Sequence, residues 1–273
     1  MDDFGWARDL SDAEWCAFLA GDLEIPGRCA PAMPPAEFQM SWVGGAGITT
    51  LNEAMIFVGQ TRTAMLEAGS PLRRDMRVLD FGVGWGRFYR LLMREVDQLI
   101  GADPDRPCID MCREMLPERE FAQIPTRPPY KFHDQEFDLI YAYSVFTHLA
   151  EAVFIEVISE FSRIVKPGGL VAFTTLPISF IDLWESKRDS GDFKSGIEKT
   201  DFDPALWRAR AAAGEFLFVP TGGGGKHETP DIYGWALISR PYLEKALRGT
   251  PFWLISMESI SGLPQEFVLI QRS

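Results

Sequence analysis

Short apolar runs alternate with amphipathic helical periods in the middle of the chain, between residues 77 and 175. Runs of this length, bounded by polar and turn-forming residues, are typical of buried strands. Strands are predicted at 77–81, 99–103, 121–124, 137–143 and 169–175, and helices at 87–96, 106–115 and 150–165. This βαβα alternation predicts an α/β fold with a parallel sheet covered by helices on both faces.

The first 70 residues have a helical pattern instead. Ser11 and Glu14 have the spacing of a capping box at the start of a short amphipathic helix. A second helix is predicted from about residue 49 to residue 67, where Gly69 and Pro71 follow. We therefore expect residues 1–70 to form a helical cap ahead of the sheet.

The pattern breaks after the strand at 169–175 and resumes near the end of the chain. Residues 176–235 are rich in glycine and aromatic residues, and a connection of that length is usually functional. Ser239 then has the position of a helix cap, and apolar runs at 252–257 and 266–271 predict a hairpin. The predicted organisation is a cap (1–70), a core (71–175 with 236–273) and a substrate-side insert or lid (176–235).

Charge and composition narrow the class of partner. The 273 residues carry 39 acidic and 27 basic side chains, a formal net charge of −12, and residues 1–37 hold eight acids against two bases. Nucleic-acid backbones and anionic membranes select basic surfaces, so neither is expected as the partner. The acidity favours a neutral or cationic ligand.

Other whole-chain features point to a cytoplasmic protein. No stretch reaches eighteen apolar residues, and the first residues lack a secretory pattern, so neither a membrane span nor export is expected. The four cysteines include no CxxC pair, and no histidine or cysteine set completes a metal site. We expect reduced thiols and no metal.

A glycine-rich turn carries the most chemical information. The predicted strand at 77–81 runs directly into a turn and then a helix, so that backbone amides are exposed at a helix start. The acid–glycine pattern is formed by Asp80, Gly82, Gly84 and Gly86. A dinucleotide fingerprint needs G-x-G-x-x-G, but its third glycine position is occupied by Arg87.

The observed D-x-G-x-G-x-G pattern resembles the first motif of class I S-adenosylmethionine-dependent methyltransferases. Asp103, at the end of the second strand, supports this resemblance because a carboxylate there can accept hydrogens from both ribose hydroxyls. Residues 137–149 and 163–169 resemble the family's fourth strand with its following loop and the turn into its fifth strand. The resemblance looks closest to bacterial enzymes that modify small molecules or sugars.

The resemblance implies a doubly wound sheet of seven strands, the last one antiparallel, and S-adenosylmethionine as the cofactor. The implied activity is methyl transfer to a small-molecule acceptor, with oxygen the expected acceptor atom. The residues implied to bind the cofactor are Asp80, Gly82, Val83, Gly84, Gly86, Asp103, Pro104, Tyr143 and Ser144.

A general base is needed only when the acceptor is a weak acid such as a hydroxyl. His148 follows the fourth strand near the expected methyl site, and His227 follows the glycine run of the insert; both are candidates. Two other functions remain open at this point: a non-catalytic protein that binds S-adenosylmethionine, and an NAD-dependent oxidoreductase. The sequence does not reveal the acceptor or the oligomeric state.

Overall fold

A computed structural model describes residues 4–190, 203–221 and 229–273. A 3-10 helix at Phe4–Asp9 precedes the first α-helix. The α-helices are α1 Asp12–Ala20, α2 Ala36–Val43, α3 Ile48–Glu67, α4 Arg87–Leu92, α5 Arg106–Met115, α6 Glu151–Ile164, α7 Phe180–Ser190, α8 Pro204–Ala212 and α9 Arg240–Ala246. The strands are β1 Arg77–Phe81, β2 Gln98–Asp103, β3 Glu120–Gln123, β4 Phe137–Ala142, β5 Val165–Thr175, β6 Leu217–Pro220, β7 Gly234–Leu237, β8 Phe252–Ser259 and β9 Glu266–Arg272.

Seven of these strands form one sheet in the order β3-β2-β1-β4-β5-β9-β8. The pairs β1–β2, β1–β4 and β2–β3 are parallel, whereas β9 is antiparallel to both β5 and β8. The α/β class and the seven-stranded, mostly parallel sheet are therefore confirmed. Strands β6 and β7 form a separate two-stranded antiparallel sheet, and β7 extends past the predicted end of the insert at residue 235.

The chain divides into two compact units. The first comprises Met1–Pro125 with Glu136–Tyr141, and the second comprises Thr126–Gln135 with Ala142–Ser273. In the first unit, β1 is buried along nearly its whole length because a parallel strand between two others has both faces covered. Helices α1 and α3 to α5 belong to the same unit.

The capping box predicted at the start of α1 is present. The Glu14 backbone N–H donates to Ser11 Oγ at 3.3 Å, and the Ser11 N–H donates to Glu14 Oε2 at 2.8 Å. Helix α1 buries its apolar face, and the Trp15 indole N–H donates to the Leu91 carbonyl at 3.2 Å. This contact fastens the N-terminal helices to the end of α4.

A buried arginine strengthens that attachment. Arg94 is 4% exposed and donates to the Leu10 carbonyl at 2.9 Å and to the Asp12 carboxylate. Asp12 also accepts from Arg62 of α3, so one carboxylate joins two guanidinium groups. Removing one partner of such a buried network leaves the other charges without compensation.

The second unit holds the insert. Helices α7 and α8 pack with β6 and β7 around an apolar cluster that includes Trp184 and Trp207. These indoles meet edge to face at 5.9 Å and are only 1% and 7% exposed. They therefore form the interior of the insert and leave no face for a ligand.

Some element boundaries differ from the predicted ones. Helix α4 ends at Leu92 rather than near residue 96. Just after this end, Arg94 donates to the Leu10 carbonyl, and the Glu95 carbonyl accepts from Arg8. Strand β5 begins at Val165 and includes the residues predicted as a turn, whereas β9 pairs with it only from Leu170 to Thr175. The Gln271 side chain there donates to the Gly168 carbonyl at 2.9 Å.

We predict that Arg94→Ala lowers the free energy of unfolding by about 3 kcal/mol, because it removes the donor of the Leu10 carbonyl and one of the two guanidinium partners of Asp12. Urea denaturation followed by far-ultraviolet circular dichroism measures the change. Arg73→Ala is the matched control, since Arg73 is half exposed and pairs only with exposed Asp75 in the described part of the chain. An Arg94→Ala midpoint equal to that of the control would contradict the role of Arg94.

Candidate functional site

The turn between β1 and α4 has a backbone that requires glycine. Gly82, Gly84 and Gly86 have φ angles of 78°, 51° and 81°, in the left-handed region that other residues rarely adopt. The N–H groups of Gly82 and Val83 both donate to the Ala102 carbonyl, at 2.8 and 3.0 Å. The turn is thereby fixed to the end of β2.

Gly84 and Gly86 serve different purposes. A Cβ atom on Gly84 would meet no atom within 4 Å, so the space beside this residue is open. A Cβ atom on Gly86 would lie 2.6 Å from Arg90 Nη1 and 3.3 Å from Cys112 Sγ. Gly84 thus leaves room for a ligand, whereas Gly86 leaves room for the protein's own arginine.

Asp103 connects the glycine turn to the end of β2. Its Oδ2 accepts the Gly84 N–H at 2.9 Å, and its Oδ1 accepts the Asp105 N–H at 2.8 Å. Burial raises the pKa of this carboxyl to about 6, although both backbone bonds oppose the rise. Each carboxylate oxygen retains a lone pair for a further donor. Pro104 continues the chain, and its carbonyl accepts from Gln123 at 3.3 Å.

Asp80 is the second carboxylate beside this turn. It is 2% exposed, and its Oδ2 has no hydrogen-bond partner among the described residues. Burial, and then the neighbouring charge of Asp103, raise the pKa of Asp80 to about 7. An orphaned oxygen at such depth calls for a donor from outside the described protein.

Arg90 supports the turn by donating to its backbone carbonyls, a role that the sequence did not indicate. It is fully buried and donates to the carbonyls of Trp85 at 2.7 Å, Gly86 at 3.1 Å and Ala32 at 2.7 Å. Burial lowers the pKa of its guanidinium to about 10, which leaves it charged at neutral pH. Arg90 therefore links the N-terminal segment to the glycine turn.

In the second unit, the loop after β4 carries a strained residue. Ser144 has φ 57°, a conformation that costs a residue other than glycine roughly 1 kcal/mol. Its N–H donates to Thr174 Oγ1 at 2.8 Å, and its Oγ accepts from Gln265 Nε2 at 2.9 Å. Thr174 and Gln265 were not predicted, because they lie 30 and 121 residues away along the chain. Half-buried Tyr143 connects β4 to Ser144.

His148 lies in the same loop and is held by β7. Its Nδ1 is 2.9 Å from the Gly234 carbonyl oxygen, and its ring stacks on Tyr233 at 4.8 Å and meets Trp235 at 4.9 Å. Since a carbonyl only accepts, Nδ1 carries the proton and Nε2 keeps its lone pair. Burial lowers the pKa of His148, so the ring is neutral at pH 7.

The predicted site residues fall into two sets. Asp80, Gly82, Val83, Gly84, Gly86, Asp103 and Pro104 meet around one turn of the first unit. Tyr143, Ser144 and His148 share one loop of the second unit. His227 lies outside the described residues.

Neither a metal-ligand cluster nor a membrane-spanning helix is found among the described residues. No group of three or more histidine, cysteine, aspartate or glutamate side chains there has a metal-binding arrangement. No helix there is both long and apolar enough to cross a membrane. The cysteines are free thiols, and the Cys112 thiol donates to the Gly84 carbonyl at 3.3 Å.

Comparisons with known proteins agree with this geometry. Residues 79–173 match a family model described as a methyltransferase domain. An uncharacterised methyltransferase of Geobacillus kaustophilus is 29% identical over 45% of this chain and 53% of its own length. A malonyl-[acyl-carrier protein] O-methyltransferase of Salmonella typhimurium is 29% identical over 50% of this chain and 56% of its own length. The chain thus spans about half the length of the curated relatives it matches.

A crystal structure of an S-adenosylmethionine-dependent methyltransferase from Mesorhizobium loti shares the fold. Its TM-score is 0.52 at 14% identity, over 79% of this chain and all of that one. The matched segment contains the glycine turn, Asp103 and the loop after β4. Residues 79–173 therefore match a methyltransferase domain, and the chain has the fold of an S-adenosylmethionine-dependent methyltransferase.

Proposed function

We propose that this chain transfers a methyl group from S-adenosylmethionine to an oxygen atom of a small-molecule acceptor. The observation that supports it most is the turn at Gly84, whose amide is fixed by Asp103 while the space beside it stays open. The similarity to the Salmonella O-methyltransferase favours oxygen as the acceptor atom.

The first unit fits the cofactor chemically. Asp103 can accept hydrogens from two vicinal hydroxyls on the lone pairs that its backbone bonds leave. The orphaned Oδ2 of Asp80 offers an acceptor for a further donor group, such as an ammonium. Gly82, Val83, Gly86 and Pro104 would shape the turn, and Tyr143 and Ser144 would contact the methionine end.

S-adenosylmethionine supplies an already activated methyl group on a sulfonium sulfur. The protein must therefore align the acceptor, exclude water and remove a proton from an acceptor hydroxyl. We assign the last task to His148 Nε2, since Nδ1 is occupied by the Gly234 carbonyl and the ring is neutral. His227 is the alternative base.

We also propose roles for the segments on either side of the predicted core. The insert at 176–235 would cover the acceptor, and the cap at 1–70 would cover the cofactor. A net charge of −12 supports a neutral or cationic acceptor rather than a nucleic acid or a membrane surface. We propose a cytoplasmic location.

Two measurements test the proposal as a whole. Calorimetry should show binding of S-adenosylhomocysteine and none of NAD, and labelled S-adenosylmethionine should yield a methylated product with a suitable hydroxylated acceptor. Absence of S-adenosylhomocysteine binding at high micromolar concentration would refute the assignment. Binding without transfer to any member of a broad acceptor panel would favour a non-catalytic role.

We predict that Asp103→Asn weakens S-adenosylhomocysteine binding by about 1–3 kcal/mol, roughly 5- to 150-fold, because a charged acceptor is lost. In the unmodified protein, affinity should also fall as the pH drops through about 6, where Asp103 takes up a proton. Calorimetry from pH 5 to pH 8 measures both effects. Asp97→Asn is the control, because Asp97 directly precedes the first residue of β2, whereas Asp103 is its last. Equal affinities of both variants would place the ribose elsewhere.

We predict that His148→Asn lowers kcat about 100-fold and leaves the affinity for S-adenosylhomocysteine unchanged, as expected for loss of a general base. In the unmodified protein, kcat should fall on acidification through a pKa below the usual histidine value, because protonated His148 accepts no proton. His133→Asn, at an exposed site, is the control. A kcat of His148→Asn within a few-fold of the control would transfer the role to His227 or remove the need for a base.

We predict that Asp80→Asn stabilises the cofactor-free protein at pH 8 by about 2 kcal/mol, while weakening cofactor binding. Burial raises the folded pKa of Asp80 to about 7, above its value in the unfolded chain, so its ionisation costs stability as the pH rises to 7. Thermal unfolding at pH 5 and pH 8 checks the sign, since the advantage of the variant should shrink at pH 5. A variant less stable at pH 8 would show that Asp80 has a stabilising partner.

A further inference from the structure

We infer that Gln265 is a positioning residue for the proposed methyl transfer: its amide holds Ser144 in the left-handed conformation that the cofactor-binding loop needs. The inference rests on the proposed function. It goes beyond it because Gln265 lies directly before β9, outside the segment that matches the methyltransferase family model.

The backbone of Ser144 is strained. Among the described residues, Gln135 and Ser144 are the non-glycine residues with positive φ. The strained conformation of Ser144 persists only where its surroundings hold it. The side chains that bond it are Thr174 at the end of β5, Gln265, and Thr147 within the same loop.

The hydrogen bonds among Ser144, Thr174 and Gln265 each have a defined direction. Thr174 Oγ1 accepts the Ser144 N–H and gives its own single proton to Gln265 Oε1. The Gln265 amide therefore turns its nitrogen towards Ser144 and donates to Ser144 Oγ at 2.9 Å. One amide thus closes a ring that contains both the backbone and the hydroxyl of Ser144.

This ring also decides what the Ser144 hydroxyl can do. Since Ser144 Oγ accepts from Gln265, its own proton remains available for Thr147 Oγ1, at 3.2 Å, or for a bound ligand. A single-proton donor held at a fixed position suits a carboxylate or another acceptor at the methionine end of the cofactor. Gln265 acts through Ser144 and needs no contact with the cofactor.

The position of Gln265 explains how a residue late in the chain reaches this loop. Strands β8 and β9 form the hairpin, and its connection ends at Gln265. Glu266, the next residue, pairs with Thr175 of β5 and Phe267 pairs with Thr174, so Gln265 follows diagonally across from Thr174, and their side chains bond. The hairpin thereby contributes to the loop after β4 as well as completing the sheet.

A double-mutant experiment tests the inference. Gln265→Ala should weaken S-adenosylhomocysteine binding about 10-fold by calorimetry, since Ser144 would lose its support. In a Ser144→Gly background, the same substitution should change the affinity less than about twofold, because glycine adopts the left-handed conformation unaided. Gln271→Ala is the matched control: it removes a glutamine within β9 whose side chain donates to the Gly168 carbonyl.

Each outcome has one meaning. If the unmodified protein does not bind S-adenosylhomocysteine, the proposed function fails first. If the unmodified protein binds it, two results would show that Gln265 does not act by holding Ser144. One is equal affinity of the Gln265→Ala and Gln271→Ala variants, and the other is an equally large loss of affinity on Gln265→Ala in the Ser144→Gly background. Should Gln265→Ala unfold, Thr174→Val removes the other half of the ring, and normal affinity of that variant would overturn the inference.

Discussion

The burial of two carboxylates beside one glycine turn is the constraint on which this structure depends. Taking a carboxylate out of water costs several kcal/mol unless donors replace the solvent. Asp103 has two backbone N–H donors, which explains the path of the turn past Gly84 and the close contact between the ends of β1 and β2. Asp80 Oδ2 has no hydrogen-bond partner in the described part of the chain, an electrostatic cost that a ligand with donor groups would remove.

Much of the fold follows from local sequence, because strand and helix periodicity need no distant partner. The strands at 77–81 and 99–103, the capping box at Ser11 and the final hairpin were predicted for this reason. The early start of β5 depends on side chains of β9, and the early end of α4 coincides with Arg94 bonding to the N-terminal helices. Both departures involve contacts about 80 to 100 residues apart along the chain, which no periodicity in a short window contains.

In the candidate site, too, short sequence motifs predicted some residues and missed others. Asp80, Gly84 and Asp103 were predictable because the turn motif is short and each residue type has one evident use in it. Arg90 was not, since a buried arginine that bonds to backbone carbonyls leaves no sequence pattern. Arg90 also changes the interpretation of Gly86. Because Gly86 has no side chain, the Arg90 guanidinium fits beside it, so this glycine of the motif makes room for a protein group rather than for a ligand.

The insert shows why aromatic content alone is a poor guide to a binding pocket. Its tryptophans Trp184 and Trp207 fill its own interior. Its contact with the proposed base comes from backbone instead, because the Gly234 carbonyl determines which nitrogen of His148 carries the proton. Gly234 lies so close to β6 that a Cβ atom would be 2.0 Å from the Val219 oxygen. The packing of the tryptophans stabilises the β6–β7 pair, that pair positions the carbonyl, and the carbonyl leaves Nε2 unprotonated. The apolar core of the insert thus supports the proposed chemistry without touching a substrate.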